Sequence, residues 1–220
     1  RPIALVSTVD EFGHNNLSPF SFFNIFSSNP PVVIFSAARR VRDNTTKDTL
    51  HNAMQQKEVV INVVNYAITQ QVNLSSAEYS SDVDEFVKSG LTPIASDLVA
   101  PRRVKESPVS LECEVRDVLH MGEEGGAGNL VMCVVKRMHI ADDVLLEDGG
   151  IDQDAIDLVG RMGKAWWVRA SGDALFELAP PKLGIGVDQI PYVIRRSTIL
   201  TGNNLGQLGA EITLPTTEEV

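Results

Sequence analysis

Two long segments constrain this chain more than anything else in it. Across residues 109–118 the apolar side chains Val109, Leu111, Cys113 and Val115 alternate with Ser110, Glu112, Glu114 and Arg116. A period of two sends alternate residues to opposite faces, which predicts a β-strand with one buried face. Residues 130–140 read as its partner, and the glycine-rich link 122–128 between them predicts a hairpin.

Other strands are predicted at residues 2–9, 15–26 with a break at Pro19, 32–36, 58–65, and 165–170 around Trp166-Trp167. A turn at 10–14, where Gly13 is free to take positive φ, separates the first two, and Asn29-Pro30-Pro31 punctuates the chain before the third. Residues 45–56 predict a helix, with Leu50, Ala53 and Met54 at helical spacing and Thr45 with Asp48 resembling a capping box. Short helices are expected at 68–74 and 83–89, and residues 92–107 read as a loop with a basic patch. Many strands with few helices predict an antiparallel barrel or sandwich. The tail 180–220, with Gly184, Gly186, Gly202, Gly206 and Gly209, reads as a loop-like extension.

At 220 residues and 24.0 kDa the chain suits one large domain, or one domain with an extension, and 43% hydrophobic residues supply a core. The formal charge of −10 disfavours nucleic acid and anionic membrane surfaces as partners. No apolar run approaches the roughly 20 residues of a membrane span. The expected location is cytoplasmic. Cys113 and Cys133 lie inside alternating apolar segments and are expected as core residues rather than as a disulfide.

Several chemistries are weakened. Gly184-Ile185-Gly186 lacks the third glycine, where Gln189 stands, and Gly163-Lys164-Ala165 lacks the hydroxyl residue of a phosphate loop. The acidic stretch 142–157 does not match calcium-loop spacing and reads as a solvated loop.

Two segments carry positive signals. Arg39, Arg40, Arg42 and Lys47 place four cations within nine residues of an otherwise acidic chain, between a strand and a helix start. A cation in the first turn opposes the helix dipole unless an anion is bound there. A phosphate would resolve this, held by Lys47, the hydroxyls of Thr45, Thr46 and Thr49, and backbone N–H groups. The alternative is a solvated basic loop with an ordinary threonine cap. Residues 16–24, Asn-Leu-Ser-Pro-Phe-Ser-Phe-Phe-Asn, mix small polar and aromatic groups that suit a flat heterocycle. The alternative is an edge strand with Pro19 at a bulge.

Taken together, residues 1–8, 16–24, Thr46-Lys47-Asp48-Thr49 with Asn52, Asn73 to Tyr79, and Gly160-Arg161-Met162-Gly163 before Trp166 resemble the flavin reductase-like, FMN-binding split-barrel family, in its flavoredoxin-like branch. The resemblance covers residues 1–170 and implies a mainly β fold, a six-stranded antiparallel Greek-key split barrel with a few short helices. Residues 171–220 would then be a C-terminal extension. The resemblance also implies a homodimer with FMN near its interface. Ser21, Phe22, Phe23 and Asn24 would face the flavin ring and ribityl chain. Ser36, Arg39, Thr46, Lys47, Asp48 and Thr49 would surround the phosphate. His139 and Trp166 are looser candidates at the ring. For His139 the alternative is a satisfied barrel histidine. For Trp166 and Trp167 it is one ring in the core and one at the dimer interface.

One departure bears on function. Many pyridine-nucleotide-dependent members of that family carry Gly-Asp-His where the nicotinamide docks, and this hairpin reads Gly128-Asn129-Leu130. The expected activity is an oxidoreductase passing a hydride from NADH or NADPH to FMN, with onward electron transfer. The other reading is an FMN-binding electron carrier without pyridine-nucleotide activity. No side-chain acid or base is required by either, and no metal is expected.

Overall fold

The computed structural model describes residues 1–181 and 183–213. Their strands are β1 (Ala4–Val9), β2 (Asn15–Phe20), β3 (Phe23–Ser28), β4 (Pro31–Ser36), β5 (Glu58–Val63), β6 (Pro93–Ile94), β7 (Arg103–Val104), β8 (Val109–His120), β9 (Asn129–Ile140), β10 (Leu158–Arg161) and β11 (Trp167–Ala170). The helices are α1 (Asp48–Gln56), α2 (Thr69–Leu74), α3 (Glu85–Ser89), α4 (Tyr192–Arg195) and α5 (Gly202–Ala210). The chain divides into two compact units, Arg1–Leu175 and Phe176–Val220.

The first unit is mainly β. One sheet holds seven strands in the order β2-β1-β5-β8-β9-β4-β3, every neighbouring pair antiparallel. The two outermost strands are consecutive in sequence and joined only by Ser21 and Phe22. Two residues of extended chain span about 7 Å, so the sheet must curl until the end of β2 lies beside the start of β3. Side chains from β1, β2, β4, β5, β8 and β9 fill the interior, Phe20 and Phe35 meeting at 5.1 Å between ring centroids. Register shifts in β8 at Glu112/Cys113 and Val115/Asp117 give the long hairpin the local bends that curling requires. Cys113 and Cys133 are free thiols in this interior, and burial pushes the Cys113 thiol up to about 12.

The sheet therefore has seven strands where six were expected. The difference lies in residues 15–28, which form two strands on opposite edges. The break falls at Ser21-Phe22 and not at Pro19, which pairs with Leu5. Proline survives in β2 because an edge strand has one side that needs no N–H donor.

β1 is buried on both faces. One face meets the interior, while Leu5 joins Leu17, Val72 and Phe86 in a second cluster under α2 and α3. This explains why its sequence shows an apolar run rather than alternation. Two further pairs were not expected. β10 pairs with β11, and β6 with β7 forms a two-residue ladder inside the predicted loop.

α1 starts at Asp48, three residues later than expected, and Lys47 precedes it without a side-chain cap. The expected Thr45–Asp48 capping box is absent. The Thr45 hydroxyl and amide instead donate to Asp43, which with Arg42 hold that carboxyl down at about 2. Asp43 wins because its side chain closes a local turn two residues long.

The second unit, expected to be loop-like, contains α5. Thr201 and Asn204 close a capping box at its start. Gly209 lets Gly184 approach so closely that a Cβ on Gly184 would lie 2.4 Å from the Gly209 carbonyl oxygen. Three glycines within α5 hide it from propensity arguments.

Candidate functional site

Two adjoining cavities on the first unit gather the sequence motifs. The first is a groove at the start of α1. Lys47 and Arg40 enter it beside Ser18 of β2, the Ser75–Tyr79 segment after α2, and Asp48 and Thr49. The second, of about 180 Å³, is lined by Ile3, Pro19, Ser21, Val72, Asn73, Ser76, Arg161 and Trp167. Ser76 lines both, and β2 runs past both through Ser18 and Pro19. The 16–24, 46–49 and 73–79 motifs thus meet in space.

Lys47 is half-buried, its Nζ 3.3 Å from the Ser18 hydroxyl oxygen and 5.1 Å from the centre of the Phe20 ring. Burial first, and then the Arg40 charge, hold its ammonium below the usual lysine value of 10.5. Arg40 donates to the Thr45 hydroxyl and to the Thr46 carbonyl oxygen at 2.6 Å. Among the described residues neither cation forms an ion pair. Two cations converging at a helix N-terminus, with hydroxyls around them, are chemically suited to a phosphate.

A polar relay runs through the groove wall, whose lining includes Asn16, Thr49 and Glu85. Thr49 donates to Asn16 Oδ1 at 2.6 Å, and Asn16 donates to Glu85 Oε1 at 3.0 Å. Glu85 also accepts the Leu17 N–H, and Asn52 donates to Thr8. Burial pushes the Glu85 carboxyl up. The Thr49 hydroxyl is spent on Asn16, so its work here is to set the groove wall.

The remaining predicted residues are dispersed. Ser21 lines the second cavity and accepts from Arg1 Nε at 3.1 Å. Phe22 is exposed beneath the Arg1 guanidinium, and Phe23 packs on the barrel interior. Asn24 faces outward, its Oδ1 accepting the Ile25 N–H. Ser36 is buried at the end of β4, where its N–H donates to the Phe22 carbonyl oxygen. Arg39 is folded onto Asn44 by two hydrogen bonds of 2.6 Å, and Arg40, not Arg39, lines the groove. Thr46 is exposed and offers its carbonyl to Arg40.

His139 lies in neither cavity. It pairs with fully buried Glu112, which also accepts the N–H groups of Asp97 and Leu98. Asp97 is itself paired with Arg137, so this His–carboxylate group is satisfied internally. Trp166 is 76% exposed on the β10–β11 turn, while Trp167 is half-buried and lines the second cavity.

Sequence reasoning did not select Arg40, Asn73, Ser76, Arg161 or Trp167 as site residues. All but Trp167 fell within segments that carried the resemblance or the cation cluster, but nothing in one dimension says which neighbour of a motif faces a cavity.

Comparison with known proteins agrees with this architecture. Residues 1–153 match the family described as flavin reductase like domain. An uncharacterised protein of Aquifex aeolicus (strain VF5) is 34% identical over 173 residues, covering 79% of this chain and 86% of that protein. The crystal structure of nitrilotriacetate monooxygenase component B from Bacillus cereus superposes with a TM-score of 0.74 at 29% identity, over 81% of this chain and 87% of that one. Flavoredoxin of Desulfovibrio vulgaris (Miyazaki F) shares the fold at 18% identity with a TM-score of 0.67, over 80% of this chain and 89% of its own. The seven-stranded curled sheet carries a groove lined by Arg40 and Lys47 together with Asp48, Glu78 and Glu85, beside a cavity walled by Trp167. The chain belongs to the flavin reductase-like domain family. Among the described residues no helix is long and apolar enough to cross a membrane.

Proposed function

We propose that this protein is an FMN-binding oxidoreductase. The carrying observation is the convergence of Arg40 and Lys47 on a hydroxyl-lined groove that adjoins, through Ser76, a cavity with apolar and indole walls. Arg40 and Lys47 would hold the phosphate. Ser21, Asn73 and Trp167 would flank the ring system. The bound flavin supplies the redox chemistry, two-electron reduction by NADH or NADPH and onward electron transfer. The protein's residues bind it, orient it and exclude water from one side.

We read the assembly as a homodimer. Val33, Phe35, Val131 and Cys133 point into the barrel, so Val32, Ile34, Met132 and Val134 stand on its outer face. This apolar outer face suits a second copy of the chain.

A second reading, an electron carrier without its own pyridine-nucleotide activity, draws on the β8–β9 hairpin. Asn129 is buried, donates to the Ala37 carbonyl oxygen at 2.7 Å and contacts His120 Nδ1. That side chain is committed to the scaffold and is not offered to a nicotinamide.

The test is a flavin titration followed by anaerobic NADH or NADPH. A bound flavin that bleaches supports the oxidoreductase, and one that stays yellow supports the carrier. Protein that takes up no FMN removes both.

A further inference from the structure

We propose that Arg161 makes this site favour the reduced, negatively charged form of its flavin. The proposal rests on the FMN reading above and extends it to a residue with no assigned role.

Arg161 ends β10 directly opposite Trp167 on β11. Its guanidinium carbon lies 5.4 Å from the centre of the Trp167 ring, and both line the 180 Å³ cavity. Its backbone is fixed by an N–H bond of 2.7 Å to the Arg1 carbonyl oxygen. Among the described residues Arg161 is the one formally charged side chain on the cavity wall, the others being apolar or neutral polar. Among the described residues it has no carboxylate partner.

The phosphate has its own cations, Arg40 and Lys47, in the neighbouring groove. A third cation against an indole wall therefore meets a different part of the ligand. An oxidised flavin ring is neutral. The two-electron-reduced ring loses a proton readily and then carries a negative charge on one edge, which a guanidinium fork can match. Ile3 and Val72 thin the local water, so the interaction is stronger than at an open surface. A group that meets charge in only one redox state shifts the balance between the two.

The experiment measures dissociation constants of oxidised FMN and of dithionite-reduced FMN, anaerobically at pH 8. The proteins are the full chain, Arg161→Met, Arg161→Gln and Arg161→Lys. Arg161→Met and Arg161→Gln are expected to lose about tenfold more affinity for reduced than for oxidised FMN, equivalent to roughly 1.4 kcal/mol. Arg161→Lys should recover part of that ratio. Equal losses for both forms would show that Arg161 only packs on Trp167, and would overturn the proposal. A weaker interaction with NADPH at an unchanged ratio would also overturn it, assigning the cation to the nucleotide. Parent protein that binds neither form of FMN defeats the FMN reading itself, before any variant is compared.

Discussion

Lys47 concentrates the chemistry of the site into one side chain. Its pKa lies below 10.5 because burial and Arg40 disfavour the charged form. The unfolded chain then holds that proton more tightly, so the free protein gains stability as pH rises from the folded value toward 10.5. A bound phosphate reverses the preference. FMN affinity should therefore fall as pH rises toward 10.5, and calorimetry on Lys47→Met should show that slope flattened. At pH 7 the same variant should bind FMN roughly 10- to 100-fold more weakly, as expected for one charge-assisted hydrogen bond, with riboflavin binding little changed. Thr49→Val should behave differently. It leaves Asn16 Oδ1 short of its 2.6 Å donor, so about 1–2 kcal/mol of stability should be lost in denaturant titration. Lys47 was legible in the sequence because a cation at a helix start is locally unfavourable. Arg40 was not separable from Arg39, because one residue of loop geometry decides which of them turns onto Asn44.

Elements behave as anchors for the loops that carry these residues. The glycine link between β8 and β9 packs on the cation loop so closely that a Cβ on Gly125 would meet Val41 Cα at 3.0 Å and the Arg40 carbonyl at 3.1 Å. Gly125→Ala should displace Arg40 and weaken FMN binding several-fold while the melting temperature moves little. Glu112 anchors a second loop. Burial works to raise its pKa, but the Asp97 N–H, His139 and the Leu98 N–H outweigh it and hold the carboxyl below 4.5. Its contribution is thus present above pH 4.5 and fades as pH falls through the folded value. Glu112→Ala should cost about 3 kcal/mol in urea at pH 7 by orphaning those donors. The β8–β9 hairpin was readable because half-buried strands alternate. The split of residues 15–28 was not, since proline is the usual breaker and here occupies an edge. β10 escaped notice because Leu158-Val159-Gly160-Arg161 is too short to show a period.

At the scale of the molecule, the two compact units imply separable stability. A chain ending at Leu175 should lose the helical far-UV signal of α4 and α5, keep the β signal of the first unit and melt within a few degrees of the full chain. Light scattering should give twice the chain mass for the full protein, and Ile34→Asp on the outer sheet face should halve it. The seam between β2 and β3 has a thermodynamic consequence. Ser21 lies in the two-residue link that joins the sheet's outermost strands, and it also lines the indole-walled cavity. A molecule seated there would brace the lips of the barrel against parting. Tight binding and resistance to breathing would then rise together, and hydrogen exchange at the free edges of β2 and β3 would slow first as the site filled.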